Sequence, residues 1–335
     1  MQNSPITGPH KIRLAMAPYD DTTAATRFDS FNVYETHFKQ IGDHKIKVAI
    51  LVPKDLKPGK VPLAVKFHGG GLVVGDALFP DWIAAFWVPF MHRNNAITIL
   101  PNYRLVPESS GADILEDLAD FWSWFNDKGV DKYLTSQNVN VDLDYKHLLV
   151  SGDSAGGYMA LQSGLTRPEG EINAILAQYP MTNHTRRSPE DSMLGMQTPC
   201  RKWMDEKLAS LLIPGAITSS AHPYKTDRFG LSMALNAYGR YNEFFGEGER
   251  LWPITAVKSV KFVPPTTIFH ALGDSAVKFQ DSVDFVERTK SVVPGVEIRL
   301  AYGKEGDHGF DGALKEDEEP WLKEELQWVE SRWLF

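Results

Sequence analysis

Cysteine is almost absent: Cys200 is the single thiol among 335 residues. One thiol cannot form an internal disulfide, so nothing in the cysteine count signals an oxidising compartment, and a reduced, cytoplasmic setting is the expectation. Long hydrophobic runs are missing as well. A membrane-spanning helix needs roughly 20 apolar residues in a row; the most apolar candidate, near Leu211, is cut by Pro214 and Gly215. Met1 to Pro18 carries His10, Lys11 and Arg13 and lacks the continuous apolar run of a signal peptide, so export by the usual route is not expected. An excess of positive charge is also lacking. The formal net charge is -8, with 35 Lys and Arg dispersed among 43 Asp and Glu, which argues against nucleic acid or an anionic membrane as a partner. With neither an H-E-x-x-H pattern nor a cysteine pair, no metal is expected. Internal repeats and low-complexity tracts are absent too.

What is present is an ordinary globular composition, 43% hydrophobic and 23% charged, in a chain long enough for one large α/β domain with an insertion. Val33 to Val52 alternates apolar and polar residues around a break at Gly42-Asp43, the pattern of an antiparallel hairpin. Short apolar runs follow at Pro62–Phe67, Ala96–Leu100, His147–Ser151, Ala174–Tyr179, Thr266–Ala271 and Val296–Ala301. Such runs read as strands buried on both faces of a mostly parallel sheet. Helical spacing appears between them: Ile114, Leu115, Leu118, Phe121, Trp122 and Phe125 form one stripe over Ala112–Asn126, and Tyr158–Leu165 and Trp321–Trp333 behave likewise. The segment from Tyr179 to Thr266 is far longer than a crossover requires. Its aromatics, among them Trp203, Phe229, Tyr241 and Trp252, suggest a cap over the carboxyl ends of the strands, where open α/β sheets bind ligands.

Gly152-Asp153-Ser154-Ala155-Gly156 fits G-x-S-x-G, with a strand pattern before it and a helical pattern after it. A nucleophile on a sharp strand-to-helix turn sits in strained geometry and needs close neighbours without side chains, which accounts for the glycines. His68-Gly69-Gly70-Gly71 directly follows the strand Pro62–Phe67. There, side-chain-free residues let backbone N–H groups converge on one point, so Gly70, Gly71 and Ala155 are the expected oxyanion donors and His68 shapes the loop. No Gly-Lys-Ser/Thr ending follows these glycines, which disfavours a phosphate loop.

Ser154 needs a base. Of ten histidines, His308 alone combines a position after the last strand with tight flanks, Gly306-Asp307-His308-Gly309-Phe310. His37, His44 and His147 lie in or beside early strands, His184 and His222 in the insertion and His270 inside a strand pattern, so each reads as structural; His10 and His92 read as solvent-facing. The base needs a carboxylate to set its tautomer, and Asp274 lies in the turn after the strand Thr266–Ala271. Asp281 and Asp284 read as the solvated face of a helix, and Asp307 is too close in sequence to reach its neighbour's ring. Along the chain these three candidates run in the order Ser154, Asp274, His308.

Together, His68-Gly69-Gly70-Gly71, Asn102-Tyr103-Arg104-Leu105-Val106-Pro107-Glu108, Gly152-Asp153-Ser154-Ala155-Gly156-Gly157, Gly273-Asp274 and Asp307-His308-Gly309-Phe310 resemble the hormone-sensitive-lipase-like branch of the α/β-hydrolase superfamily. The resemblance spans roughly residue 33 to the C-terminus. It implies an α/β-hydrolase fold with a mostly parallel eight-stranded sheet flanked by helices. It also implies a helical cap built from about 1–30 plus about 181–260, and cofactor-free carboxylesterase activity on a small-molecule ester. It places Asp153 as a brace for the oxyanion loop, with Gly69 and His68 in support, and makes Tyr103, Arg104 and Glu108 architectural. Ser275-Ala276-Val277 departs from the family's usual continuation after the acid. Acyl transfer, thioester release or elimination by the same triad, and a non-catalytic receptor on the same scaffold, are the alternatives. Receptors of this branch lose the histidine that His308 supplies here. Whether two copies pair into a homodimer is left open.

Overall fold

The computed structural model describes residues 24–335 apart from Tyr302 and Lys304. The first part of the expected cap, up to residue 23, therefore lies outside the described residues.

Phe31–Ile41 (β1) and His44–Pro53 (β2) form an antiparallel hairpin about Gly42-Asp43, as their alternation predicts. The remaining strands are Lys60–Phe67 (β3), Ile97–Pro101 (β4), Asp142–Asp153 (β5), Ala174–Gln178 (β6), Thr266–Phe269 (β7) and Ile298–Ala301 (β8). The eight described strands lie in the order β1-β2-β4-β3-β5-β6-β7-β8. β2 meets β4 antiparallel, and every pair from β4 to β8 is parallel. This is the mostly parallel sheet that continuous apolar runs require.

Successive side chains of each strand feed opposite faces. On β3, Leu63, Val65 and Phe67 enter one core and Ala64 the other. The first core is covered by Gly111–Asn126 (α2), Ala155–Thr166 (α4) and Phe279–Val292 (α9), the second by Trp87–Arg93 (α1) and Pro320–Trp333 (α10). α2 begins where Ser110 and Asp113 cap each other reciprocally. Its Ile114, Leu118, Phe121, Trp122 and Phe125 are all buried, so the stripe read in the sequence is the packed face. The short helix Gly129–Ser136 (α3), whose eight residues offer little periodicity to read, was not anticipated.

Register places the site. Phe67 pairs with Gly152, Asp153 with Gln178, Gln178 with Phe269, and Phe269 with Ala301. The loops after β3, β5, β6, β7 and β8 therefore leave the sheet along one row at its carboxyl end, the rim where parallel sheets assemble sites. Over this rim lies the long segment between β6 and β7, with helices Arg201–Leu211 (α5), Arg228–Ala237 (α6), Tyr241–Phe245 (α7) and Pro253–Ala256 (α8). Ala221 exchanges two backbone hydrogen bonds with Gly75, and Leu105 N–H donates to Thr218 O at 2.8 Å. The buried Arg228 pairs with Glu108 and donates to the carbonyls of Val73 and Val106. The segment is thus tied to the loops after β3 and β4.

Candidate active site

Ser154 stands between β5 and α4 with φ 55° and ψ -114°, a conformation that side chains other than hydrogen resist. Its neighbours show why the flanks are glycine. A Cβ on Gly152 would strike the backbone of Gly156, and one on Gly156 would strike the carbonyl of Phe67. The turn is held by Ser154 N–H to Gln178 O at 2.8 Å and by Tyr158 and Met181 N–H groups donating to Ser154 O.

The loop after β3 arrives alongside. Gly70 and Gly71 have φ of 98° and 63° and line the same cavity as Ser154. Among the described residues, no loop or turn hydrogen bond uses the N–H of Gly70, Gly71 or Ala155. Ala155 opens α4, where the first amides have no intrahelical acceptor. His68 is buried away from solvent: its Nδ1 lies 2.9 Å from Gly69 O and its ring stacks on Tyr103 at 4.3 Å. Tyr103 in turn donates to His68 O at 2.6 Å. Burial pushes the His68 imidazole below its ordinary value, in keeping with a neutral ring inside the loop.

Asp153 packs behind Gly69, leaving no room for a Cβ there, and accepts a 2.9 Å bond from the buried Lys66 ammonium. Lys66 also reaches Gln178 Oε1 at 3.2 Å, and Gln178 Nε2 donates to Asp311 Oδ2 at 2.6 Å. Burial pushes the Asp311 carboxyl up. This polar layer beneath the Ser154 turn was not anticipated. Its one signal in the sequence is a lysine inside an otherwise apolar strand, a position lysine almost never takes unpaired.

His308 lines the cavity with Ser154, and its Nδ1 lies 2.8 Å from Asp274 Oδ2. The other Asp274 oxygen accepts the N–H groups of Ala276 and Val277 at 2.8 and 2.7 Å. His270 completes the set. Its Nε2 is 3.2 Å from Asp274 Oδ2 and 3.0 Å from Val277 O, while Nδ1 faces Ser282 Oγ at 2.8 Å. A carbonyl can only accept, so Nε2 of His270 carries the proton and Nδ1 accepts from the serine. Burial raises the Asp274 carboxyl, but the two facing imidazoles, His308 first, outweigh it and hold the group well below its ordinary value. Burial likewise lowers His308, yet the facing Asp274 carboxylate carries it above the ordinary imidazole value.

Two neighbours differ from their sequence reading. Asp281 is buried rather than solvated: it lines the cavity and accepts from Thr185 Oγ1 at 3.0 Å, because the Thr182–Thr185 segment lies across α9 at that point. His92 does not merely face solvent; it bridges Asp55 at 2.7 Å and Ser30 at 2.9 Å. Asp307 uses its carboxylate on the turn, accepting from Ser275 N and Oγ and from His308 N at 2.6, 2.8 and 2.7 Å.

Strand order, the turn at Ser154 and the loops along the rim define an α/β hydrolase, and the sequence profile of a family described as an alpha/beta hydrolase fold matches residues 64–311. The chain belongs to that family. It is 28% identical over 328 residues to the probable carboxylesterase M8 of a Phoma species, covering 93% of this chain and 100% of that protein. A similarity of 25% over 325 residues links 88% of the chain to 13% of the non-reducing polyketide synthase atr1 of Stereocaulon alpinum. Among solved structures, esterase 2 of Thermogutta terrifontis phosphonylated by sarin superposes with a TM-score of 0.56 at 18% identity, over 90% of this chain and 95% of that one. No described helix is long and apolar enough to cross a membrane.

Proposed function

We propose that this carboxylic ester hydrolase works through Ser154 as nucleophile, His308 as general base and acid, and Asp274 as the carboxylate that orients the base. The observation that carries the reading is the 2.8 Å contact of His308 Nδ1 with Asp274 in a cavity that Ser154 shares. An ionised carboxylate only accepts hydrogen bonds, so Nδ1 bears the proton and Nε2 keeps the lone pair a base requires. Ser154 Oγ attacks the ester carbonyl as its proton passes to His308, and the amides of Gly70, Gly71 and Ala155 hold the resulting oxyanion. The imidazolium then protonates the departing alcohol. Water, deprotonated by the same ring, cleaves the acyl-enzyme and frees the acid.

The rigid support of the loop follows from Lys66 and Asp153 beneath Gly69. The segment between β6 and β7 is the cap in this reading, and its Met181, Met193, Leu194 and Phe229 give the cavity an apolar side suited to a hydrophobic acyl or alcohol group. A second use of the triad draws on the polyketide-synthase relative: the acyl-enzyme could be loaded from a thioester or relieved by an acceptor other than water. Intact mass after a fluorophosphonate probe, for wild type and Ser154→Ala, together with turnover of p-nitrophenyl esters of increasing acyl length, tests both. Labelling and turnover lost together in the variant is the expected result; a labelled wild type that hydrolyses no ester but transfers acyl groups to added thiols or alcohols would favour the second use. No labelling at all would overturn the serine mechanism.

A further inference from the structure

Asn183, His184, Thr185 and Arg187 line the cavity that holds Ser154. This stretch is clipped to α6 by Asn236, whose Oδ1 accepts Arg187 N–H at 3.0 Å and whose Nδ2 donates to Thr185 O at 3.2 Å. The clip turns the Arg187 side chain to the cavity, where its Nη1 is shut off from solvent and makes no hydrogen bond among the described residues. The buried guanidiniums of Arg104 and Arg228 are, by contrast, spent on acids, Asp117 and Glu108. Arg187 forms no ion pair with a described acid, although three carboxylates line the same cavity. Each has donors of its own, Asp153 taking the Lys66 ammonium. Asp281 takes the Thr185 hydroxyl on its two oxygens at 3.0 and 3.2 Å, and Asp191 accepts the N–H of Ser188 at 3.0 Å. Burial also pushes the Asp281 carboxyl up, which weakens it as a competitor for a cation. His184, three residues earlier, presents a second such atom: its ring stacks on Tyr241 at 5.2 Å and its buried Nε2 has no hydrogen bond among the described residues.

A guanidinium offers N–H groups in a planar fork that matches the two oxygens of a carboxylate, and a guanidinium nitrogen shut off from solvent without an acceptor is costly until one arrives. We propose that Arg187, with His184 beside it, is a carboxylate subsite of this cavity, so that the preferred substrates are esters carrying a free carboxylate away from the scissile bond. Half-esters of dicarboxylic acids and esters of hydroxy-acids are the two chemical forms this takes. The proposal rests on ester hydrolysis at Ser154 and adds the charge of the substrate to it.

The test uses matched pairs on the full chain: p-nitrophenyl butyrate against mono-p-nitrophenyl glutarate, and phenyl butyrate against 4-carboxyphenyl butyrate, with wild type, Arg187→Met and Arg187→Lys. The wild type is expected to favour the carboxylated member of one pair. Arg187→Met should lower kcat/KM for that ester by roughly 10- to 100-fold, chiefly through KM, as loss of a hydrogen bond to a charged group implies. Neutral esters should stay within about threefold, which also certifies folding, and lysine should restore part of the loss because it keeps the charge without the fork. Neutral esters turned over with no carboxylate preference, or with Arg187→Met lowering both members of a pair alike, would overturn the subsite and leave the esterase reading standing. Failure of the wild type to hydrolyse any of the four esters would overturn both.

Discussion

The backbone at Ser154 stores energy that two substitutions can measure. With φ 55° and ψ -114°, the residue occupies a region that costs about 1–3 kcal/mol for anything but glycine. Ser154→Ala and Ser154→Gly both delete the hydroxyl, so its contacts cancel in the comparison. Only glycine relieves the strain, while its freer unfolded chain returns about 0.5–1 kcal/mol. Ser154 borders the cavity, so removal of its Cβ strips little packing. The net advantage of glycine over alanine is then about 0.5–2 kcal/mol. At about 2.1 cal/mol/K per residue, the unfolding entropy of this chain is roughly 0.7 kcal/mol/K, which converts the advantage to a Tm difference of about 1–3 °C. Differential scanning calorimetry at one scan rate, checked by urea denaturation, reads the difference, and neither variant should take up a fluorophosphonate. If Ser154→Gly melts at or below Ser154→Ala, the turn is not strained and the reasoning that assigns the flanking glycines to it fails.

Asp274→Asn would aim an amide at His308 Nδ1 and favour the wrong tautomer; kcat for a p-nitrophenyl ester should fall by about four orders of magnitude with little change in KM, and a loss under tenfold would remove Asp274 from the mechanism. In the proposed mechanism only the neutral imidazole accepts the Ser154 proton, and Asp274 carries His308 above the ordinary value of 6.5, so kcat/KM should drop as pH falls, with its midpoint above 6.5. A midpoint below that value in a pH-rate profile on a neutral ester would contradict the pairing. Lys66→Met leaves Asp153 buried without its cation and should cost about 3–5 kcal/mol in urea denaturation; Lys66→Met combined with Asp153→Leu should recover much of it, and a single-variant cost below 1 kcal/mol would show that the pair does not hold the loop.

Much of the fold was legible because its signals are local. The hairpin about Gly42-Asp43 and the apolar runs of β3 to β8 each declare themselves within a few residues, and the observed strands match the expected runs closely at most ends. Helix α3 escaped because eight residues are too few to show a period. Ser154, His68 to Gly71, Asp274 and His308 could be singled out because each sits at the end of a strand run in tight, glycine-rich surroundings. The polar layer of Lys66, Gln178 and Asp311 and the second imidazole on Asp274 could not. Their partners are far apart in the chain, with Lys66 and Asp153 separated by 87 positions, and no periodicity links them.

The sequence by itself thus determined the order of strands and helices, the glycines demanded by close backbone approach, and the types of group that could act as nucleophile, base and orienting acid. These follow from side-chain volume, alternation and backbone freedom, which act over short distances along the chain. The tertiary structure alone decided which ionisable groups are paired and which are free. It buries Asp281, which the sequence places on a solvated helix face, against Thr185, spends Arg228 on Glu108, and leaves the Arg187 guanidinium facing the cavity with no acid partner among the described residues. Those outcomes depend on which surfaces the long segment after β6 covers, and that is set by packing between residues remote in sequence, where desolvation and charge pairing act through space rather than along the chain.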